Sequence, residues 1–336
     1  MKNSKPDSKK WSKGFTEGQA KGMIPEPQEP VPGFPMRYLW HTGPWFDIFE
    51  KQIELIASDI RRAKAEGKLV AYLSCPISSR GGGYSGTNVD IAKHAERTLL
   101  QRWGEGFWIL NPAQYQLESK AGTGLMNRHA EQLGIDIALL RQQAAPAGGD
   151  YMRMWTRVLV ENGGRVGERD IGGALLNTGQ YFDAYYFLGP RDVQSFFLAE
   201  GDSLTAGVQA YFARKYATDA DFRAKFRKPL DWDELSRCNQ KGEEFQDKDG
   251  ALRDWTLLRS DFLRYYGLRA SANFSLGSHD EWLIFSHLNR LRREASRNPA
   301  KFMADGDVGE QIAGFFDGNQ VDPASTEIPL SRGYSC

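Results

Sequence analysis

Apolar and polar positions in the first part of the chain predict a helix followed by a strand. Between Phe46 and Lys64, apolar side chains recur every three or four residues, which is the spacing of one helix face. Gly67 follows, as a glycine often does just past a helix end. Residues 69–75, with the sequence LVAYLSC, then form a short apolar run that predicts a strand ending before Pro76.

A second helix and a second strand follow a glycine-rich segment. This segment, RGGGYSGT, occupies residues 80–87, and Asn88 supplies a helix-starting signal for the amphipathic stretch 91–103. Residues 107–110, with the sequence FWIL, predict the next strand. A strand, a loop, a helix and a strand in this order are typical of a βαβ unit, which predicts a parallel sheet.

The remaining elements complete an α/β pattern with a Rossmann-like parallel sheet and a helical C-terminal extension. We expect a flexible lead-in over residues 1–35, a Rossmann-like nucleotide-binding or catalytic domain over 36–218, and a helical C-terminal region over 219–336. The further elements predicted are a long glycine-rich loop over 162–180, a strand over 181–188, and helices over 125–143, 150–161, 204–216, 252–266 and 280–297.

Composition narrows the function classes. The 43 Lys and Arg residues balance the 43 Asp and Glu residues, so the formal net charge is zero. A neutral chain lacks the field that holds nucleic acid or an anionic membrane, and we expect neither partner. No apolar run approaches the roughly 20 residues that span a bilayer, and residues 1–35 contain no signal-peptide core. These features favour a cytoplasmic protein.

Cysteine and histidine spacing predicts neither a disulfide framework nor a metal site. Cys75, Cys238 and Cys336 lie far apart in the sequence, which suits a reducing cytosol. His279 and His287 are eight residues apart, with no further His or Cys nearby.

The glycine-rich loop is the first candidate binding site. Glycines let backbone N–H groups approach a phosphate, and the following helix offers its positive end. Arg80 adds a charged group beside Gly81, Gly82 and Gly83. The loop lacks the Lys-Ser/Thr ending of a P-loop and the GxGxxG spacing of a dinucleotide site. We therefore expect it to hold an anion or a nucleotide 5′-phosphate, with an ordinary flexible connector as the alternative.

The segment GDSLTAG at residues 201–207 resembles the nucleophile block of the GDSL hydrolases, with Ser203 as the nucleophile. That family also needs a downstream Asp-x-x-His, because a serine needs a base oriented by a carboxylate. None of the five histidines has an Asp three residues before it. A serine ester hydrolase is therefore the third-ranked hypothesis.

Five segments, taken in order, resemble landmarks of the nucleoside 2-deoxyribosyltransferase-like proteins. The resemblance implies a Rossmann-like sheet that supports cleavage or exchange of an N-glycosidic bond in a nucleoside or nucleotide. It also implies a carboxylate nucleophile and no metal or redox cofactor. The segments are YLSCPIS (72–78), FWILNPA (107–113), DYMRMW (150–155), FDAYYFLGP (182–190) and DSLTAGVQAYFARKYA (202–217).

The chain departs from this family at the nucleophile. The family's Glu falls on Val208, or on Gln209 after one inserted residue, and neither side chain can form a glycosyl ester. Asp202 matches the family's acidic residue at the helix start, where it either binds sugar hydroxyls or caps the helix. Glu161 and Asp150, on one face of a predicted helix, are candidates for the missing carboxylate. A catalytically silent nucleotide-binding module is the competing hypothesis.

The predicted site combines these carboxylates with aromatic surfaces on which a nucleobase stacks. We expect a small nucleoside or nucleotide as the partner, and a homo-oligomer is compatible with the predicted helical region. The predicted catalytic residues are Asp202, Glu161 and Asp150. The predicted substrate-binding residues are Tyr72, Cys75, Pro76, Arg80, Gly81, Gly82, Gly83, Asn88, Tyr151, Trp155, Ser203 and Gln209. Cys75, at a strand end, is more typical of a small buried residue than of a nucleophile.

Overall fold

The computed structural model describes most of the chain, and its described residues fall into two compact units. The first unit contains those of Met1–Ser74, Leu99–Phe187 and Phe274–Cys336, and the second those of Cys75–Thr98 and Leu188–Asn273. The described ranges are 22–77, 83–160, 178–227, 259–269, 276–298, 310–325 and 333–336.

The described elements alternate between helices and short strands. The strands are β1 (Glu26–Gln28), β2 (Tyr38–Trp40), β3 (Leu69–Ser74), β4 (Phe107–Leu110), β5 (Ala184–Phe187), β6 (Ala313–Phe316) and β7 (Asn319–Val321). The helices are α1 (Pro44–Ala65), α2 (Ser85–Trp103), α3 (Lys120–Gln132), α4 (Ile137–Gln143), α5 (Gly148–Val160), α6 (Pro190–Leu198), α7 (Leu204–Thr218), α8 (Ala220–Arg227) and α9 (Leu276–Arg297), with a 3-10 turn at Pro112–Gln114 and a π-helical segment at Tyr265–Arg269.

A five-stranded sheet of order β4-β3-β5-β6-β7 forms the centre of the first unit. The first four strands of this order run parallel, and β7 pairs antiparallel with β6. The chain is therefore an α/β protein with a mixed, mostly parallel sheet, which is consistent with the Rossmann-like fold that the sequence predicts. β4 and β5, the next two strands along the chain, lie on opposite sides of β3, so the strand order reverses there. Open sheets of this class place their ligands at the carboxyl ends of the strands at such a point.

The helix α9 covers the sheet face that carries Tyr72 and Ser74. Successive strand residues point to opposite faces, so these two residues of β3 share a face, and the register puts Tyr185 of β5 beside Tyr72. On this face Tyr185 stacks on Phe285 of α9, with ring centroids 3.6 Å apart. The ring of Tyr72 lies 5.9 Å from the same phenylalanine.

The helix α1 shows how local sequence sets the bounds of an element. Pro44 occupies its first turn, where the missing N–H costs nothing, and Asp47 complements the positive helix end. Arg62 lies in the last turn, and Gly67, with φ of 75°, ends the segment. The prediction of a helix over 46–64 is confirmed.

The prediction of one helix over 125–143 is wrong, because the structure has two. Gly134 adopts a φ of 67°, and the Ile135 N–H bonds the Ala130 carbonyl at 2.8 Å, which closes α3 in a Schellman turn. Asp136 then caps α4.

The region predicted to be helical after residue 219 also contains strands, so a wholly helical extension is not confirmed. The predicted helix over 280–297 is present as α9, which begins at Leu276. β6 and β7 then add to the edge of the sheet, and a two-residue turn connects them to each other. In this turn Asp317 and Gly318 have φ of 52° and 82°, as an Asp-Gly hairpin turn requires.

Part of the predicted lead-in belongs to the folded core of the first unit. β1 pairs antiparallel with β2, and Met23, Val31 and Phe34 are buried in the main apolar cluster. Residues 22–35 are therefore a packed segment, whereas residues 1–21 lie outside the described residues.

Aromatic side chains form the interior of the second unit. The Tyr211 hydroxyl donates to Asp90 at 2.8 Å, and the Tyr266 hydroxyl donates to Asn88 at 2.8 Å. Phe212 packs edge-on against Phe262 with ring centroids 5.1 Å apart. In both units, no helix within the described ranges has the length and apolar composition needed to cross a bilayer.

Candidate active site

A buried carboxylate on α9 meets the carboxyl end of the central strand β3. Glu281 is only 5% exposed. Its Oε1 accepts a hydrogen bond from the Tyr72 hydroxyl at 2.7 Å, and its Oε2 accepts one from the Ser74 hydroxyl. Both hydroxyls lie on one sheet face, so the two strand residues hold both oxygens of one side chain.

Burial raises the pKa of Glu281 to about 7. The hydrogen bonds from Ser74 and Tyr72 oppose this shift because they favour the ionised form, whereas the negative charge of Asp280 adds to it. A carboxyl group with such a pKa is present in both protonation states near neutral pH. Groups that must act as a nucleophile, an acid or a base are commonly tuned in this way.

The partners of Glu281 among the described residues are neutral hydroxyls rather than a cation. A buried carboxylate without a counter-charge costs stability, because removal from water penalises the ionised form. A packed apolar residue of similar size is generally no worse for the fold. The position at the end of β3 therefore favours a functional role for this group.

The neighbouring residue, Asp280, is also a buried acid and is fully excluded from solvent. Its Oδ2 accepts the backbone N–H of Tyr334 at 2.6 Å. Burial raises the pKa of Asp280, against hydrogen bonds from Tyr334 and Ser335 that lower it. Within the described part of the chain, its Oδ1 has no hydrogen-bond partner, and the Nδ1 of His279 lies 3.9 Å away.

Tyr38 of β2 is buried in the same unit, and its hydroxyl accepts the Thr156 hydroxyl at 3.4 Å. Burial raises the pKa of Tyr38, and the charges of Asp280 and Glu281 raise it further. We refer to Tyr38, Tyr72, Ser74, Asp280 and Glu281 as the Glu281 cluster. It joins β2, β3 and α9 within the first unit.

Two aromatic residues predicted to bind substrate, Tyr151 and Trp155, lie on α5 in the apolar core. Trp155 is 6% exposed, and its ring lies 5.8 Å from that of Tyr72. Tyr151 packs edge-on against Phe49 at 5.0 Å. The structure thus brings Trp155 to the border of the Glu281 cluster, while a stacking role for either residue stays a prediction.

Asp150, predicted as a possible catalytic carboxylate, is bound to His41. Its Oδ1 accepts the His41 backbone N–H at 2.8 Å, and its Oδ2 lies 2.7 Å from His41 Nδ1. Oδ2 also accepts the backbone N–H of Ala147 at 2.7 Å. These contacts connect the end of β2 to the start of α5 and favour a structural role. The catalytic role of Asp150 stays a prediction.

Other predicted substrate-binding residues belong to the second unit. Cys75 is buried, and Pro76 follows it at the start of this unit. Gly83 is buried just before α2. The Asn88 side chain accepts the Tyr266 hydroxyl, so this amide helps to hold the aromatic interior.

The predicted acidic start of α7 is exposed. Asp202 and Ser203 are both open to solvent, and Ser203 is the helix cap, since its Oγ accepts the Ala206 N–H at 3.2 Å. The capping role considered for Asp202 therefore belongs to its neighbour. Val208 is buried and Gln209 is half-buried. Since these residues are a valine and a glutamine, neither position of the family's nucleophile carries a carboxylate here.

Four predicted site residues lie outside the described residues. They are Arg80, Gly81, Gly82 and Glu161. The phosphate-binding role of the loop and the nucleophilic role of Glu161 stay predictions.

Sequence reasoning missed Glu281, although a signal was present. Residues 276–288 read LGSHDEWLIFSHL, in which Glu281, Phe285 and Leu288 follow at helical spacing. An acid within the apolar stripe of an amphipathic helix must be buried, and buried acids concentrate at functional sites.

Comparison with protein-family models, with curated proteins and with solved structures gave no match. The class is therefore defined by the fold and the site alone. The chain is an α/β protein with a mostly parallel sheet and a buried carboxylate at the end of a central strand. Among the residues that the structure describes, no group of three or more His, Cys, Asp or Glu side chains is placed to hold a metal ion.

Proposed function

We propose that this protein cleaves or transfers the N-glycosidic bond of a nucleoside or nucleotide, with Glu281 as the reacting carboxylate. The observation that carries the proposal is the buried Glu281 side chain, hydrogen-bonded by Tyr72 and Ser74 at the carboxyl end of β3. The reaction class comes from the resemblance to deoxyribosyltransferase-like proteins, since Tyr72 and Ser74 lie in the first of the resembling segments.

Glu281 is a candidate for the reacting carboxylate, which α7 does not carry at Val208 or Gln209. The resemblance puts the reacting Glu at Val208 or Gln209, where an aliphatic side chain or an amide cannot form a glycosyl ester. The reaction needs a carboxylate, but not on a particular helix. An acid presented by α9 to the carboxyl end of β3 meets that chemical requirement.

In the proposed reaction, an ionised oxygen of Glu281 bonds to the anomeric carbon as the bond from that carbon to the base nitrogen breaks. The transition state resembles an oxocarbenium ion. The leaving nitrogen keeps the electron pair and takes a proton from solvent. Water then bonds to the anomeric carbon as the bond to Glu281 breaks, which releases the sugar and restores the carboxylate, and the water gives up a proton to solvent. Attack by a nitrogen of a second base, which also loses its proton to solvent, gives transfer instead. Tyr72 and Ser74 orient the attacking group.

The proposal is tested by incubating the protein with ribonucleosides, deoxynucleosides and their monophosphates and measuring free base by chromatography. Base release is expected from at least one substrate and should be lost in Glu281→Gln. Glu294→Gln, an exposed change on the same helix, is the matched control and should retain activity. No base release from the unaltered protein with any of these substrates would contradict the proposal.

A catalytically silent nucleotide-binding module is the second candidate. The observation that favours it is the absence of a carboxylate at positions 208 and 209 of α7. Equilibrium dialysis with the same nucleotides separates the two, because binding without base release supports the silent module.

The local geometry does not favour the serine hydrolase. Ser203 uses its Oγ to cap α7. The histidine of this unit is His94, whose Nε2 lies 3.4 Å from Ser195 rather than beside Ser203. An aryl ester assay tests this third hypothesis directly.

A further inference from the structure

We infer that Asp280 is a positioning residue for Glu281, which it serves by fixing residues 333–336 against α9 and by placing a negative charge beside the reacting carboxylate. The inference rests on the proposed function. It concerns a residue to which neither the motifs nor the family resemblance assigns a role.

The first observation is the close fit between Asp280 and the backbone of residues 333–335. The Tyr334 N–H donates to Asp280 Oδ2 at 2.6 Å, and Ser335 also hydrogen-bonds this carboxylate. Gly333 lies so near that a Cβ there would be 2.0 Å from Asp280 Oδ1. The segment reaches the carboxylate in this way only because residue 333 has no side chain.

The same segment is fixed at further points of the first unit. The Tyr334 ring lies against the start of α5, where a Cβ on Gly148 would be 2.3 Å from it. The Cys336 N–H donates to the Arg37 carbonyl at 2.9 Å, next to β2. Residues 333–336 therefore connect α9, α5 and β2, and Asp280 is the side chain that accepts the Tyr334 N–H.

The third observation is the position of Asp280 relative to the reacting group. The hydroxyls of Tyr72 and Ser74 from β3 hydrogen-bond Glu281. Asp280, from the same helix, raises the pKa of Glu281, and Glu281 in turn raises the pKa of Tyr38 on β2. Of these, Asp280 is the carboxyl group, and its ionised form places a negative charge beside Glu281. In a buried site such a charge opposes ionisation of its neighbour.

Two variants separate the charge from the fixed segment. Asp280→Asn removes the charge but keeps an oxygen to accept the Tyr334 N–H. The acidic midpoint of the pH profile of base release should therefore move to lower pH.

Gly333→Ala keeps the charge of Asp280 and displaces residues 333–336. The amides of residues 334 and 335 should then exchange with solvent about tenfold faster, as expected for one lost hydrogen bond, and kcat should fall more than KM rises.

Each variant has a matched control in the same unit. Asp136→Asn is the control for Asp280→Asn: it replaces the exposed N-cap of α4 by asparagine, which also caps helices. Gly106→Ala is the control for Gly333→Ala, because the Cβ that it adds has no atom within 4 Å. Neither should alter the pH profile or the exchange of residues 334 and 335.

The outcomes distinguish this inference from the proposed function. If Glu281→Gln keeps full base release, the proposed function fails and this inference fails with it. If Glu281→Gln is inactive while Asp280→Asn keeps the pH midpoint and Gly333→Ala keeps kcat and amide exchange, only the positioning role is overturned. A shifted midpoint in the first variant, with faster exchange and lower kcat in the second, supports it.

Discussion

Two acidic residues near the starts of helices, Glu281 on α9 and Asp202 before α7, lie in opposite environments. Glu281 is buried and holds hydrogen bonds from two strand residues, whereas Asp202 is exposed and precedes the capping residue Ser203. The sequence motif indicates Asp202 as the candidate acid, whereas the packing of the folded protein indicates Glu281. Reactivity depends on the environment of a carboxylate more than on a short motif around it.

The largest expected difference between these two acids is in catalysis. Glu281→Gln should lower base release by about 10³-fold, because an amide cannot act as the nucleophile. Asp202→Asn, an exposed acid-to-amide change, should lower it less than about tenfold, the scale of one hydrogen bond to substrate. Initial rates of both variants under the same conditions check this. A greater loss in Asp202→Asn would reverse the comparison.

The next prediction concerns stability and pH. The pKa of Glu281 is raised to about 7 in the folded state from an ordinary value of 4.5, so the folded protein holds its proton more tightly than the unfolded chain. Its stabilising contribution is therefore present below pH 4.5 and is lost as the pH rises towards 7.

Urea unfolding of the wild type and Glu281→Gln at a series of pH values measures this contribution. The difference in free energy of unfolding should change by about 3 kcal/mol across that interval, as the pKa difference requires. Asp202→Asn is the exposed control and should give a nearly flat difference. A flat difference for Glu281→Gln would show that its carboxyl group is not buried in this way.

Removing one hydroxyl partner should have a smaller effect, about tenfold or less on the rate at neutral pH. The Tyr72 hydrogen bond lowers the pKa of Glu281, so Tyr72→Phe should raise that pKa and shift the base-release profile to higher pH. Tyr186→Phe, on the other face of the neighbouring strand, is the control. A shift to lower pH in Tyr72→Phe would contradict the arrangement.

The smallest effect is expected at Ser203. Ser203→Ala removes the cap of α7 and should cost about 1 kcal/mol of stability. Base release should be almost unchanged, because this hydroxyl caps the helix instead of activating a substrate. Thermal unfolding and an activity assay on the same sample measure both. A complete loss of activity would return the serine hydrolase to consideration.

Much of the sheet could be predicted from local patterns. The strands around residues 69–75 and 107–110 stand out as short apolar runs beside a glycine-rich loop, and the structure pairs them in parallel. The hairpin of β6 and β7 also had a sequence signal, the Asp317-Gly318 turn. The prediction of a helical region over 219–336 did not use this signal.

The candidate site was less accessible to sequence reasoning because it depends on distant parts of the chain. Tyr72 was predicted as a site residue, but its carboxylate partner lies 209 residues further along. Local periodicity indicates that Glu281 is buried, but it does not show which strand end the helix covers. That information comes only from the tertiary fold.

The central claim is that the Glu281 carboxylate bonds to the anomeric carbon of a nucleoside. The most direct test is to trap the glycosyl-enzyme with a 2-deoxy-2-fluoro nucleoside, whose fluorine slows breakdown of the ester, and to map the added mass by peptide mass spectrometry. The account predicts one sugar residue on Glu281, with base released in equal amount. A sugar bonded to a different carboxylate, or base release by the protein with no sugar on Glu281, would contradict it.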